Sequence, residues 1–188
     1  MRRNLLILHS GGRDSALLVA RALDVPHLLP ILLHFTWDYP SRDQELRAFR
    51  NAQPFLCDHE VLEIPMFQDK GAEEGPRVVA CRNQIMLSHA INYAYAVGIE
   101  EIWYGANAED NQDYADCRPE FLQQMNVLAS AWGITIKAPL MAMSKQEIWD
   151  EMVEHKMDPH DSELYWSCYT PKDGQECGTC NSCKSNNL

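Results

Sequence analysis

Short apolar runs alternate along the chain with stretches whose apolar positions recur every three to four residues. The runs at 5–8, 28–35, 60–64, 101–104 and 134–137 are bounded by Gly, Pro or Asp and read as strands. Helical periodicity covers 14–23, 41–51, 82–97, 119–132 and 145–156. Local signals agree with these spans. Ser41 with Gln44 and Ser144 with Glu147 match capping boxes, Pro119 suits a first helical turn, and Gly98 and Gly133 stand where helices should stop. Strand and helix alternate five times, which predicts an α/β fold: a mostly parallel five-stranded sheet flanked by helices on both faces. Ligands of such sheets bind beyond the carboxyl ends of the strands, where 10–15, 34–38 and 105–114 fall. The stretch QDKGAEEGPR at 68–77 reads as a surface loop. From about Pro159 the periodicity gives way to a polar, cysteine-bearing tail, so 1–158 is expected to form the main domain and 159–188 a small C-terminal segment.

Composition adds little to that picture until the charge and the cysteines are considered. Of the 188 residues 46% are hydrophobic and 23% charged, ordinary for a globular chain with one core. A formal net charge of −11 counts against a protein whose task is gripping nucleic-acid backbones, so no direct nucleic-acid partner is expected. No run approaches the roughly 20 apolar residues of a membrane span, and 5–8 is too short for a signal-peptide core. A cytoplasmic protein without a membrane partner is the expectation. Cys57, Cys81 and Cys117 are scattered, whereas Cys168, Cys177, Cys180 and Cys183 form C-x8-C-x2-C-x2-C. Four thiolates satisfy tetrahedral zinc with no open position, which predicts a structural site; an iron–sulfur cluster uses the same ligands.

The six residues SGGRDS, 10–15, follow the first strand and open the first helix. Gly11 and Gly12 let an anion approach backbone N–H groups at a helix N-terminus, and Ser10 and Ser15 add hydroxyls. The P-loop consensus and its lysine are absent. Asp14 repels an anion unless it caps the helix or helps hold Mg²⁺. A capped strand–helix turn is the plainer account of the same residues. A second polar stretch, GANAEDNQDYADCRPEF at 105–121, is predicted at the same sheet edge and by itself reads as a solvated acidic loop. The histidines show no ligand spacing and read as surface or satisfied core groups. Trp103, Trp132, Trp149 and Trp166 read as core, Trp37 and Tyr39 as packing more than base stacking, and Cys117 as a small buried residue.

SGGxDS after an N-terminal strand resembles the PP-loop ATP pyrophosphatases, which cleave ATP between the α and β phosphates. SGGRDS, the DYADCRPEF stretch, APLMAMSKQEIW and the final SCY…CGTCNSC occur in one order that resembles the 7-cyano-7-deazaguanine synthase family of queuosine biosynthesis. The family usually carries VPGRN where this chain has VACRN at 79–83, and its HYxQRHxxE region appears here as HFTWDY at 34–39, without a matching QRH. The resemblance implies an ATP-dependent carbon–nitrogen ligase with an adenine-nucleotide alpha-hydrolase-like fold. Its substrates would be 7-carboxy-7-deazaguanine, ammonia and ATP with Mg²⁺, joined through adenylated intermediates beside a structural Zn²⁺. It also implies a homodimer. Ser10, Gly11, Gly12 and Ser15 would hold pyrophosphate, with Asp14 orienting the loop or a Mg²⁺ and Arg82 meeting phosphate or carboxylate. Asp110, Tyr114, Asp116 and Arg118 would build the nucleobase and ammonia end. Asp14, Ser15, Asp110 and Arg118 are the implied catalytic set. The rival readings are a tRNA thiolase, an amide-forming synthetase that stops before the nitrile, and a non-catalytic zinc- or nucleotide-binding module.

Overall fold

The structure, a computed structural model, describes residues 3–51, 58–66 and 79–185. The strands are β1 (Arg3–Leu8), β2 (Leu28–Thr36), β3 (Asp58–Glu63), β4 (Glu101–Trp103) and β5 (Thr135–Lys137). They form one all-parallel sheet in the order β3-β2-β1-β4-β5. The helices are α1 (Arg13–Asp24), α2 (Arg42–Asn51), α3 (Arg82–Val97), α4 (Asp110–Asp113), α5 (Pro119–Ser130), α6 (Lys145–Glu154) and α7 (Asn181–Ser185). Leu5, Leu6, Ile7 and Leu8 are all buried because the central strand is covered on both faces. Leu6 and Leu8 join a cluster with Leu87, Ala90, Met125 and Ala129 of α3 and α5. Leu5 and Ile7 face the opposite cluster with Leu17, Leu18, Phe49, Ile148 and Met152 of α1, α2 and α6. Each such Leu or Ile contributes roughly 1.5–3 kcal/mol by leaving water.

The chain leaves β3 and crosses to β4 on the other side of β1. This reversal opens a crevice at the carboxyl ends of β1 and β4. The expected sheet and the five long helices are present, with shifts that have physical causes. β3 starts two residues before its apolar run because parallel pairing from Ile31↔Asp58 onward recruits polar residues. α5 stops at Ser130, and Gly133 takes φ +71° in the turn that follows. α6 stops at Glu154, and Lys156 takes φ 61° beyond it. The Ser144–Glu147 capping box forms in both directions. At α2, in place of a Ser41–Gln44 box, Ser41 donates to Glu45 Oε1 at 2.8 Å, and Gln44 Oε1 is buried without a hydrogen-bond partner. Trp132 is 57% exposed rather than core, because α5 ends before it. Among the described residues no helix is long and apolar enough to cross a membrane. The 68–77 loop and Cys57 lie outside the described residues.

Candidate active site

Beyond β1 the chain turns sharply at Gly11, whose φ is +87°. A Cβ there would stand 2.5 Å from the Glu45 carbonyl oxygen, so both the turn and the approach of α2 require glycine. The Gly11 N–H donates to His9 Nδ1 at 3.1 Å, which puts the proton of the neutral ring on Nε2. Burial, reinforced by His34, pushes the His9 pKa down to about 3, so the ring stays neutral and keeps accepting that bond. His9 Nε2 and His34 Nε2 are both buried without a hydrogen-bond partner, so these two core histidines are not fully satisfied. Gly12 is the N-cap of α1 and supplies no side-chain cap, which leaves the first-turn N–H groups of α1 facing the crevice without one. Ser10 Oγ accepts from Gly12 N at 3.2 Å and lies 3.3 Å from Ser15 Oγ, while Ser15 Oγ donates to Gly12 O at 2.9 Å. The result is a hydroxyl-lined anion cradle at a helix N-terminus.

The cradle is joined to the second loop by Asn107, which is 1% exposed. Its Nδ2 donates to Asp14 Oδ2 at 2.8 Å, and its Oδ1 accepts from Asp110 N at 2.9 Å. Gly105 permits this contact, since a Cβ there would lie 3.2 Å from Asp14 Cβ. Burial raises the pKa of Asp14, and burial together with the charge of Asp14 pushes Asp110 up to about 6. Lys145, at the start of α6, acts on both carboxylates and lines the same cleft of about 240 Å³. Two neighbouring half-buried carboxylates, held together by the Asn107 amide, offer oxygen ligands that suit a hard divalent cation. On the opposite wall Glu45 accepts from Tyr39 OH and Ser41 Oγ, each at 2.8 Å. Burial lifts its pKa to about 7 in spite of these bonds and of Arg82. Trp37 and Phe35 complete an aromatic side of the cleft.

The C-terminal segment supplies another wall, through Trp166, Ser167, Tyr169 and Ser182. Behind it the Sγ atoms of Cys168, Cys177, Cys180 and Cys183 all lie within 4.8 Å of one another, with Cys177 and Cys183 at 3.9 Å. Thiolates about 2.3 Å from one tetrahedral ion stand about 3.8 Å apart, so this set can hold a single metal ion. A cubane cluster binds each thiolate to a separate iron and spreads them wider. Hydrogen bonds from Thr170 and Thr179 pull the Cys177 thiol down to about 5, toward the thiolate a metal requires.

Of the residues singled out from the sequence, Ser10, Gly12, Asp14, Ser15, Arg82 and Asp110 line one cleft, with Gly11 forming its turn. Asp116 lies behind that lining: its Oδ2 accepts from Asn83 N at 2.9 Å and so holds the start of α3, where Arg82 sits. Tyr114 packs on the core cluster behind the cleft. Arg118 is exposed outside the lining and donates from Nε to Asn111 O at 3.1 Å. Cys117 is buried, and burial drives its thiol up to about 12. Asn107, Glu45, Lys145 and Tyr169 were not singled out as site residues. For Asn107 a signal existed: a lone amide among small residues directly after a strand, in GANA. Glu45 and Lys145 sit in helical periodicity that gives surface positions the same pattern.

A family model described as "Queuosine biosynthesis protein QueC" matches residues 53–187. A 7-cyano-7-deazaguanine synthase of Rhizorhabdus wittichii is 42% identical, with 97% of this chain and 88% of that protein aligned. Its counterpart from Marinobacter nauticus is 40% identical over 97% of this chain and 90% of that protein. Among solved structures, the U34-tRNA thiolase NcsA from Methanococcus maripaludis with its [4Fe-4S] cluster superposes with a TM-score of 0.57 at 15% identity. That match covers 92% of this chain and 63% of the thiolase, a likeness of fold.

Proposed function

The chain belongs to the QueC family of queuosine biosynthesis proteins, and from that premise we propose that it converts 7-carboxy-7-deazaguanine and ammonia into 7-cyano-7-deazaguanine at the expense of ATP. A carboxylate oxygen of the substrate attacks the α-phosphorus of ATP, and pyrophosphate leaves into the cradle of Ser10, Gly11, Gly12 and Ser15. The α1 N-terminus and the two hydroxyls stabilise the charge that accumulates on the leaving group. Ammonia then displaces AMP from the acyl-adenylate to give the amide. A second ATP adenylates the amide oxygen, and loss of AMP with two N–H protons gives the nitrile. One cradle serves both steps because the leaving group is the same.

The observation that carries this reading is the Asn107 bridge, which joins Asp14 of the cradle to Asp110 of the second loop within one cleft. Asp14 and Asp110 would hold Mg²⁺, which supplies charge neutralisation for the departing pyrophosphate. Lys145 and Arg82 add positive charge on either side. Glu45, whose pKa burial lifts to about 7, can take up the protons that ammonia and the amide release. Arg118 and Tyr114 act by shaping the second loop. The cysteine set would hold one Zn²⁺, whose chemistry is structural.

The protein incubated with ATP, Mg²⁺, ammonia and 7-carboxy-7-deazaguanine should release two AMP per nitrile, followed by chromatography and product mass. Ser15→Ala and Asp14→Ala should each slow AMP release by roughly 100-fold. One AMP per amide would point to a synthetase that stops early, and no AMP release would sink the adenylating mechanism. Metal analysis should find one zinc per chain.

A further inference from the structure

The cradle and the cysteine cluster are parts of one mechanical unit. We propose that Arg13 is the positioning residue coupling them, so that metal binding and pyrophosphate binding strengthen each other. This rests on the reading that the cradle holds pyrophosphate. Trp166 N donates to Gly11 O at 2.9 Å, and Trp166 Nε1 donates to Cys168 O at 2.9 Å. Two hydrogen bonds thus run from the turn glycine of the cradle to the backbone of a metal-ligating cysteine. Arg13, the first residue of α1, fixes a parallel link. Its Nε donates to Pro159 O, its Nη1 donates to Ser167 Oγ at 2.7 Å, and its guanidinium lies 5.4 Å from the Trp149 ring centre. The SGGxDS motif does not specify the residue at this position.

Arg13 is 8% exposed, and a buried charge is tolerated only with its partners in place. Two of those partners, Pro159 O and Ser167 Oγ, belong to the C-terminal segment, which has little core of its own, whereas Trp149 lies in α6. The third apolar cluster holds Ala48 and Trp166 among the cysteines, with Tyr169 at its margin. Metal ligation therefore supplies much of what fixes residues 166–183. Without it, Gly11 O and Arg13 lose fixed partners on one side, while α2 still presses on Gly11 from the other. The cradle must then be ordered when pyrophosphate arrives, which weakens binding. Linkage is reciprocal, so pyrophosphate must in turn hold the metal.

The test follows zinc release from the loaded full-length chain to excess chelator, with and without inorganic pyrophosphate at a concentration that saturates each protein. Pyrophosphate should slow release from the wild type roughly tenfold, and from Arg13→Gln less than twofold. A purely structural Arg13 would change both absolute rates of the variant and leave their ratio tenfold, which overturns the proposal. Ser167→Ala removes one partner of the guanidinium and should reduce the ratio to about threefold. It serves as the test if Arg13→Gln does not fold, and an unchanged ratio in it overturns the coupling. Pyrophosphate that binds the wild type without slowing release overturns the coupling alone. Pyrophosphate that fails to bind overturns it together with the adenylating reading.

Discussion

Asp110 shows at the scale of one residue how a cleft shapes chemistry. Its carboxyl takes a proton more readily in the folded chain than in the unfolded one, with a pKa of about 6, because it is partly desolvated and stands beside Asp14. Its contribution to stability is therefore full below the ordinary carboxylate range and is lost as pH rises through about 6. Asp110→Asn should remove that loss. The variant is expected to gain about 1–2 kcal/mol over the wild type at pH 8 and nothing at pH 4 in urea denaturation, while AMP formation drops at least about tenfold. Stability curves that run parallel from pH 4 to pH 8 would show that Asp110 is not strained by its surroundings. Such a residue is only half legible in a sequence. Asp110 stands out as an acid in a loop after a strand, but its neighbour Asp14 is 96 positions away in numbering. The amide that joins them, Asn107, has no charge to draw attention. Asp116, in the same acidic run, turns out to hold a helix start, a difference no spacing rule expresses.

At the scale of elements, hydrophobic periodicity identified all five strands and the five long helices because all but β3 bury a face in one of two clusters, and β3 still packs Leu62 against the first. The short helices at Asp110–Asp113 and Asn181–Ser185 have too few turns to show a period, and their positions depend on the cleft and the cysteines. One junction carries a specific expectation. Cys81, where the family usually has glycine, begins α3 at φ 57°, ψ 26°, a left-handed conformation. The turn that presents Arg82 is therefore kept despite the substitution, at a cost of roughly 1–2 kcal/mol. The residue is exposed. Cys81→Gly should accordingly stabilise the protein by about 0.5–1 kcal/mol, the relieved strain less the extra freedom of glycine in the unfolded chain. Cys81→Ala, which keeps the Cβ, should not. Chemical denaturation of both variants decides this: equal midpoints would mean that the left-handed turn carries no strain.

Across the whole molecule, the contact that matters most for the cleft joins residues about 155 positions apart, from Gly11 and Arg13 to Trp166 and Ser167. Nothing local in either stretch announces it, since backbone groups and a free motif position make the bonds. Among the described residues, the two large clusters take from the segment beyond Pro159 only Leu164 and Tyr165, and the cysteines form the third cluster with Ala48 and Trp166. Such a division predicts how the protein responds to loss of metal. Chelation should release the segment around the cysteines without melting the sheet, because β1 to β5 and their helices keep their burial. Limited proteolysis of the metal-free protein should cut beyond Pro159 and leave a resistant core, while the far-UV circular dichroism changes little. A single cooperative loss of all helical signal on chelation would instead mean that the metal holds the entire fold. The local outcome would fit the proposed coupling, in which a centre with no open coordination position holds the wall against which the cradle is formed.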